Sequence, residues 1–134
     1  MKRVLVISED TATRAAFQSA LSRLNYDLMV VSCAKAALAE VRSKPIDVVF
    51  LECTQSTDAW DAARDTVQFL SRDEHAVSVY VVVSDDDAVY DRLHELIYCG
   101  IPLHTLEKPL SHNDIRCAVE AARRPTVSPY GPAP

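Results

Sequence analysis

Glycine is scarce in this chain. Only Gly100 and Gly131 occur among 134 residues. A loop that wraps a phosphate or dinucleotide closely needs several glycines together, so a Gly-rich nucleotide cradle is excluded. The four cysteines, Cys33, Cys53, Cys99 and Cys117, show no CxxC spacing. His75, His94, His104 and His112 complete no zinc pattern with them. The expectation is reduced, mostly buried thiols and exposed bystander histidines. No apolar run approaches the ~18 residues needed to span a bilayer. Met1-Lys2-Arg3 leads into a strand pattern without the apolar core of a secretion signal. A reducing, cytoplasmic setting without membrane contact is expected. Basic clusters are missing too: 14 Lys and Arg face 19 Asp and Glu, for a net charge of -5. A surface that neutralises nucleic-acid phosphates is therefore not expected.

What is present is ordinary globular usage, with 49% hydrophobic and 25% charged residues. That is enough for one domain with its own core. Four runs rich in β-branched residues read as strands: Val4 to Ile7, Leu28 to Val31, Val48 to Leu51 and Val77 to Val83. Leu103 to Leu106 is a weaker fifth. Several lack polar alternation, which suits strands buried on both faces of a parallel sheet.

Helical periods lie between the strands. Phe17, Ala20, Leu21 and Leu24 share one face, with Asn25 as a stop. Ala37, Leu38 and Val41 mark a second helix, capped by Ser32 and ended by Pro45. A third spans about Thr57 to Leu70. Val89, Leu93, Leu96 and Ile97 mark a fourth, begun by Asp85 to Asp87 and ended by Gly100. Ser111 caps a fifth, whose face is Ile115, Ala118, Val119 and Ala122. Alternating strands and helices with right-handed crossovers predict a (βα)5 α/β domain: a five-stranded parallel sheet with helices on both faces. It covers residues 1–124. Four of the seven prolines fall in Pro125 to Pro134, which reads as a tail or linker.

In an open parallel sheet, function gathers at the carboxyl ends of the strands. Those ends carry Ser8, Glu9 and Asp10 after strand one, Glu52 after strand three, Ser84 after strand four, and Glu107, Lys108 and Pro109 after strand five. With VLVISED, PIDVVFLE, VVVS and LEKP at these spacings, the chain resembles the receiver domain of two-component response regulators from Lys2 to about Arg124. The resemblance implies an acidic pair for Mg²⁺ after strand one and a phospho-acceptor at the end of strand three. It also implies a Ser or Thr after strand four, an aromatic on strand five, and a Lys that contacts the phosphate. The carboxylate is the nucleophile; metal and lysine neutralise the phosphoryl charge.

Ser84 and Lys108 keep that pattern, and the other positions depart from it. The acidic pair is Ser8 and Glu9, with Asp10 adjacent. The acceptor position is Glu52, one methylene longer than Asp, and the aromatic position is Thr105. Mg²⁺ at Glu9 and Glu52 is expected to be weak or absent, since one carboxylate is gone and another displaced. Without metal, Glu9 and Glu52 are expected to repel each other across the rim, and Lys108 to pair with Glu52.

The expectation is a protein-binding module that turns over no substrate: an atypical receiver in bacterial phosphorelay signalling, independent of phosphorylation and in need of no cofactor. Its partner is an output domain, another protein, or a second copy. The resemblance implies contact through the fourth helix, fifth strand and fifth helix, where Arg92, Glu95, Glu107, Arg116, Glu120 and Arg123 offer mixed charge to a two-fold partner. Competing readings are a working phospho-acceptor using Glu52, the regulatory domain of a larger transcription regulator, and a flavodoxin-like ligand binder.

Overall fold

The computed structural model describes residues 2–22, 24–33, 36–37, 39, 45–52, 64–65, 68, 77–83 and 103–121. Five strands, β1 (Lys2–Ile7), β2 (Tyr26–Val31), β3 (Val48–Glu52), β4 (Ser78–Val83) and β5 (Leu103–Glu107), form one sheet in the order β2-β1-β3-β4-β5. All neighbouring pairs are parallel. The architecture is thus the predicted five-stranded parallel α/β sheet with helices. Parallel strands buried on both faces need apolar side chains on both. Val4 to Ile7 of β1 and Val48 to Leu51 of β3 meet that need as unbroken apolar runs, all buried.

Two helices are bounded within the described residues. The N-terminal helix, Thr11–Leu21, follows β1, and the C-terminal helix, His112–Ala121, follows β5. They pack on each other and on one sheet face, through Phe17, Ala20 and Leu21 from the first and Ile115, Ala118 and Val119 from the second. The sheet answers with Val4, Val6, Val48, Phe50 and Val82. Rings cross this face in sequence: Phe17 meets Phe50 at 4.7 Å, Phe50 meets Tyr80 at 5.3 Å, and Tyr80 meets His104 at 4.9 Å between centroids. Such pairs add to the area they bury. Burial also pushes the Tyr80 hydroxyl above its ordinary pKa. Leu5, Ile7, Val49, Leu51, Val79 and Val81 point to the opposite face and are buried as well.

Several local expectations change. Leu24 is 37% exposed, because the N-terminal helix ends at Leu21 with Ser22 as its C-cap and Leu24 N donates to Leu21 O in a turn. The i+7 position therefore falls beyond the helix. Ala37 N donates to Cys33 O at 3.2 Å, and the start of the second helix lies outside the described residues. Cys33 and Cys117 are exposed, not buried: one lies just past the end of β2, the other on the outer side of the C-terminal helix. His104 is exposed, yet it stacks on Tyr80 and is no bystander. The fourth helix and the Pro-rich segment lie outside the described residues.

Long-range polar contacts fix the lower end of the sheet. Arg3 Nε donates to Asp27 Oδ2 at 2.7 Å, and Arg3 N to Asp47 Oδ2 at 2.8 Å. Lys2 Nζ donates to Val119 O at 2.9 Å, and the Tyr26 hydroxyl donates to Glu120. These tie the last turn of the C-terminal helix to β1 and β2. Phe50 sits between Phe17 and Tyr80 at the centre of the helix-bearing face, so Phe50→Ala should cost about 3–5 kcal/mol. Urea unfolding at matched m-values checks this.

Candidate functional site

Register and pleat build the site. Ile7 is paired with Leu51, so the next residues, Ser8 and Glu52, stand at the same level. Side chains alternate along a strand. Ser8 follows Val4 and Val6 on their face, and Glu52 follows Val48 and Phe50. Both therefore emerge on the face covered by the N-terminal helix. On the far side, Lys108 N donates to Val83 O at 2.9 Å, which brings the residue after β5 to the same rim.

Ser8 is 1% exposed. Its hydroxyl donates to Glu52 Oε1 at 2.6 Å and accepts from Asp10 N at 3.0 Å. The other Glu52 oxygen, Oε2, forms an ion pair with Lys108 Nζ. The same ammonium donates to Asp10 Oδ2 at 2.9 Å. Asp10 is the N-cap of the N-terminal helix, with extended backbone. Its Oδ1 accepts from Ala12 N at 3.0 Å, and its Oδ2 accepts from Thr13 Oγ1 at 3.1 Å. One lysine is thus shared between the tip of β3 and the cap of a helix.

Burial grades the network from inside out. The side chain of Glu52 is 13% exposed, that of Lys108 28% and that of Asp10 44%. The bond from Lys108, followed by that from Ala12 N, holds the Asp10 carboxyl below its ordinary value. Burial pulls the Lys108 ammonium down, but its bonds to Glu52 and Asp10 and their charges outweigh this, and its pKa is raised.

The second carboxylate at Lys108 is Asp10 rather than Glu9. Glu9, expected to confront Glu52, is exposed and takes no part in these bonds. β1 has ended by this point: Glu9 lies in the bend that follows, whereas Asp10 caps the helix. Nothing in the sequence signalled the reach of Asp10 to Lys108, 98 residues away. Thr105 lies on β5 and is exposed. Glu107, Arg116 and Glu120 of the expected interaction face are exposed as well, with Glu120 accepting from Tyr26. Ser84, Arg92, Glu95 and Arg123 lie outside the described residues. No group of three or more His, Cys, Asp or Glu is gathered for a metal among the described residues. A cleft of about 280 Å³ opens beside the lysine, lined by Asp10, Ala12, Thr13, Ala16, Lys108, Pro109 and Leu110.

The Asp10 carboxyl titrates lower in the folded chain than in the unfolded one. Its contribution to stability is therefore present above the unfolded value, near 3.8, and is lost as pH falls through the lower folded value. Asp10→Asn should lower the melting temperature near neutral pH by a few °C at most, since partly exposed ion pairs are weak. The gap between wild type and variant should close below the ordinary aspartate range. Thermal melts by circular dichroism across pH 2–7 would measure it.

No protein-family model and no curated protein matches the chain. Solved structures do. The signal receiver domain of a putative LuxO repressor protein from Vibrio parahaemolyticus is 17% identical, covers 90% of this chain and 88% of its own, and has a TM-score of 0.71. The receiver domain of an HD domain-containing protein from Pseudomonas fluorescens Pf-5 is 18% identical over 90% and 85%, with a TM-score of 0.73. The chemotaxis protein CheY4 of Vibrio cholerae is 14% identical over 91% and 98%, again at 0.73. The chain therefore has the fold of a response regulator receiver domain.

Proposed function

We propose that this chain is an atypical receiver domain of bacterial two-component or phosphorelay signalling, working by protein contact without phosphorylation and without turning over a substrate. The observation that carries the reading is the state of Glu52. Its two oxygens are already engaged, one by the Ser8 hydroxyl and the other by the Lys108 ammonium. A carboxylate attacks phosphorus through an oxygen lone pair, and here each oxygen already holds a donor, one a hydroxyl and the other an ammonium.

The donor set also argues against Mg²⁺. A hard, small cation wants near-octahedral oxygens and is held through carboxylates and waters. At this rim, Ser8 replaces one carboxylate and turns its proton toward Glu52, while Glu9 is exposed and outside the network. The remaining pair, Glu52 and Asp10, already holds an ammonium. These residues do not fit the metal. The fixed charge of Lys108 takes over the neutralising role instead. A paired Glu52 carries about one negative charge where a phosphorylated acceptor carries nearly two, and it needs neither kinase nor donor to form.

Output then depends on surfaces. Glu107 on β5 and Arg116 and Glu120 on the C-terminal helix are exposed, and their mixed charge suits a protein partner, an attached output domain or a two-fold copy. Net charge and the lack of basic clusters speak against direct nucleic-acid binding, and among the described residues no helix is long and apolar enough to cross a membrane.

The test is incubation of the purified chain with Mg²⁺ and acetyl phosphate, followed by intact mass measurement. No phosphoryl group should be gained. A stable adduct lost in Glu52→Gln would overturn the proposal and establish the phospho-acceptor reading. For the partner surface, Arg116→Glu should weaken association with a binding protein by about tenfold or less, as expected of a partly exposed charge. Titration of wild type and variant by calorimetry would measure the difference.

A further inference from the structure

The proposed reading leaves open what keeps Lys108 from an anion that arrives at the rim from solvent. Glu52 lies on the inner side of the ammonium, and Asp10 on the outer side. The outer carboxylate is held in place three ways. Ala12 N fixes Oδ1, while Thr13 Oγ1 and Lys108 Nζ meet on Oδ2. Thr13 is buried, so its hydroxyl is a firm anchor. Asp10 is the more exposed of the two carboxylates at Lys108, and Asp10 and Lys108 both line the cleft formed with Ala12, Ala16, Pro109 and Leu110.

We propose that Asp10 is an autoinhibitory anion: its carboxylate occupies the outer side of Lys108 and excludes an oxyanion of the phosphate class from the rim. This rests on the reading of Lys108 and Glu52 given above and adds the element that regulates access to them. The contact is suited to that role because it is partly exposed and hence weak. A competitor of higher charge, or a partner that shifts the start of the N-terminal helix, would open it. The cap geometry makes the two events one: a movement of Asp10 that frees Lys108 also removes the acceptor of Ala12 N. Release of the lysine is thereby coupled to fraying of the first turn of the helix.

Asp10→Asn separates charge from capping. Asn is as good an N-cap as Asp, so the helix start is kept while the competing charge is lost. Inorganic phosphate is the probe, titrated into the full chain and followed by amide chemical shifts of Ser8–Thr13 and Lys108–Leu110. The variant should bind phosphate about tenfold more tightly than wild type, a gain of ~1.4 kcal/mol. Adding Lys108→Met should abolish the gain. Equal affinity in wild type and Asp10→Asn would overturn the inference, and so would a gain that survives Lys108→Met. Circular dichroism of each variant verifies the fold. Failure of the underlying reading is a separate result: wild type would then take a phosphoryl group from acetyl phosphate, whatever Asp10→Asn does with inorganic phosphate.

Discussion

One ammonium group organises the carboxyl-end rim of the sheet. Lys108 reaches from the turn after β5 to Glu52 at the tip of β3 and to Asp10 at the cap of the N-terminal helix. Three segments far apart in sequence are joined at a single positive charge. The arrangement satisfies two carboxylates that would otherwise repel each other at a rim with no other described cation bonded to them. It also gives the half-buried lysine the partners that its burial requires.

The sheet makes that meeting possible. Parallel pairing of β1 with β3 sets Ser8 level with Glu52, and the pleat aims both at the face covered by the N-terminal helix. Ser8 then matters for its size and its proton. A hydroxyl can donate to Glu52, as it does at 2.6 Å, where a carboxylate at this position would add a third negative charge. Serine and the longer glutamate thus suit each other: one methylene more on β3 is accommodated by a smaller, neutral group on β1. On the proposed reading, Ser8 and Glu52 belong to one altered charge balance.

Much of this was legible in the residues. The unbroken apolar runs of β1 and β3 marked doubly buried strands, and Phe17, Ala20 and Leu21 marked the face that the first helix buries. Strand ends located Glu52 and Lys108 at one rim. What the residues did not disclose is orientation. Glu9 and Asp10 are neighbours of like charge, and only the course of the backbone into the helix cap decides that Asp10 meets Lys108 while Glu9 does not. Leu24 misled for a similar reason: hydrophobic spacing continues past Leu21, but the backbone leaves the helix at Ser22. The exposed cysteines show that composition predicts average burial and not the position of Cys33 after β2 or the outward side taken by Cys117.

The most direct measurement is NMR of the lysine side chains, reading hydrogen exchange at each ¹⁵Nζ. A shared ammonium is protected, so the Lys108 resonance should persist near neutral pH and room temperature, where freely solvated lysines exchange too fast to be seen. It should weaken on neutralising Glu52 and weaken further when Asp10 is neutralised as well. A Lys108 ammonium that exchanges as fast as the solvated lysines in the unaltered chain would contradict the account.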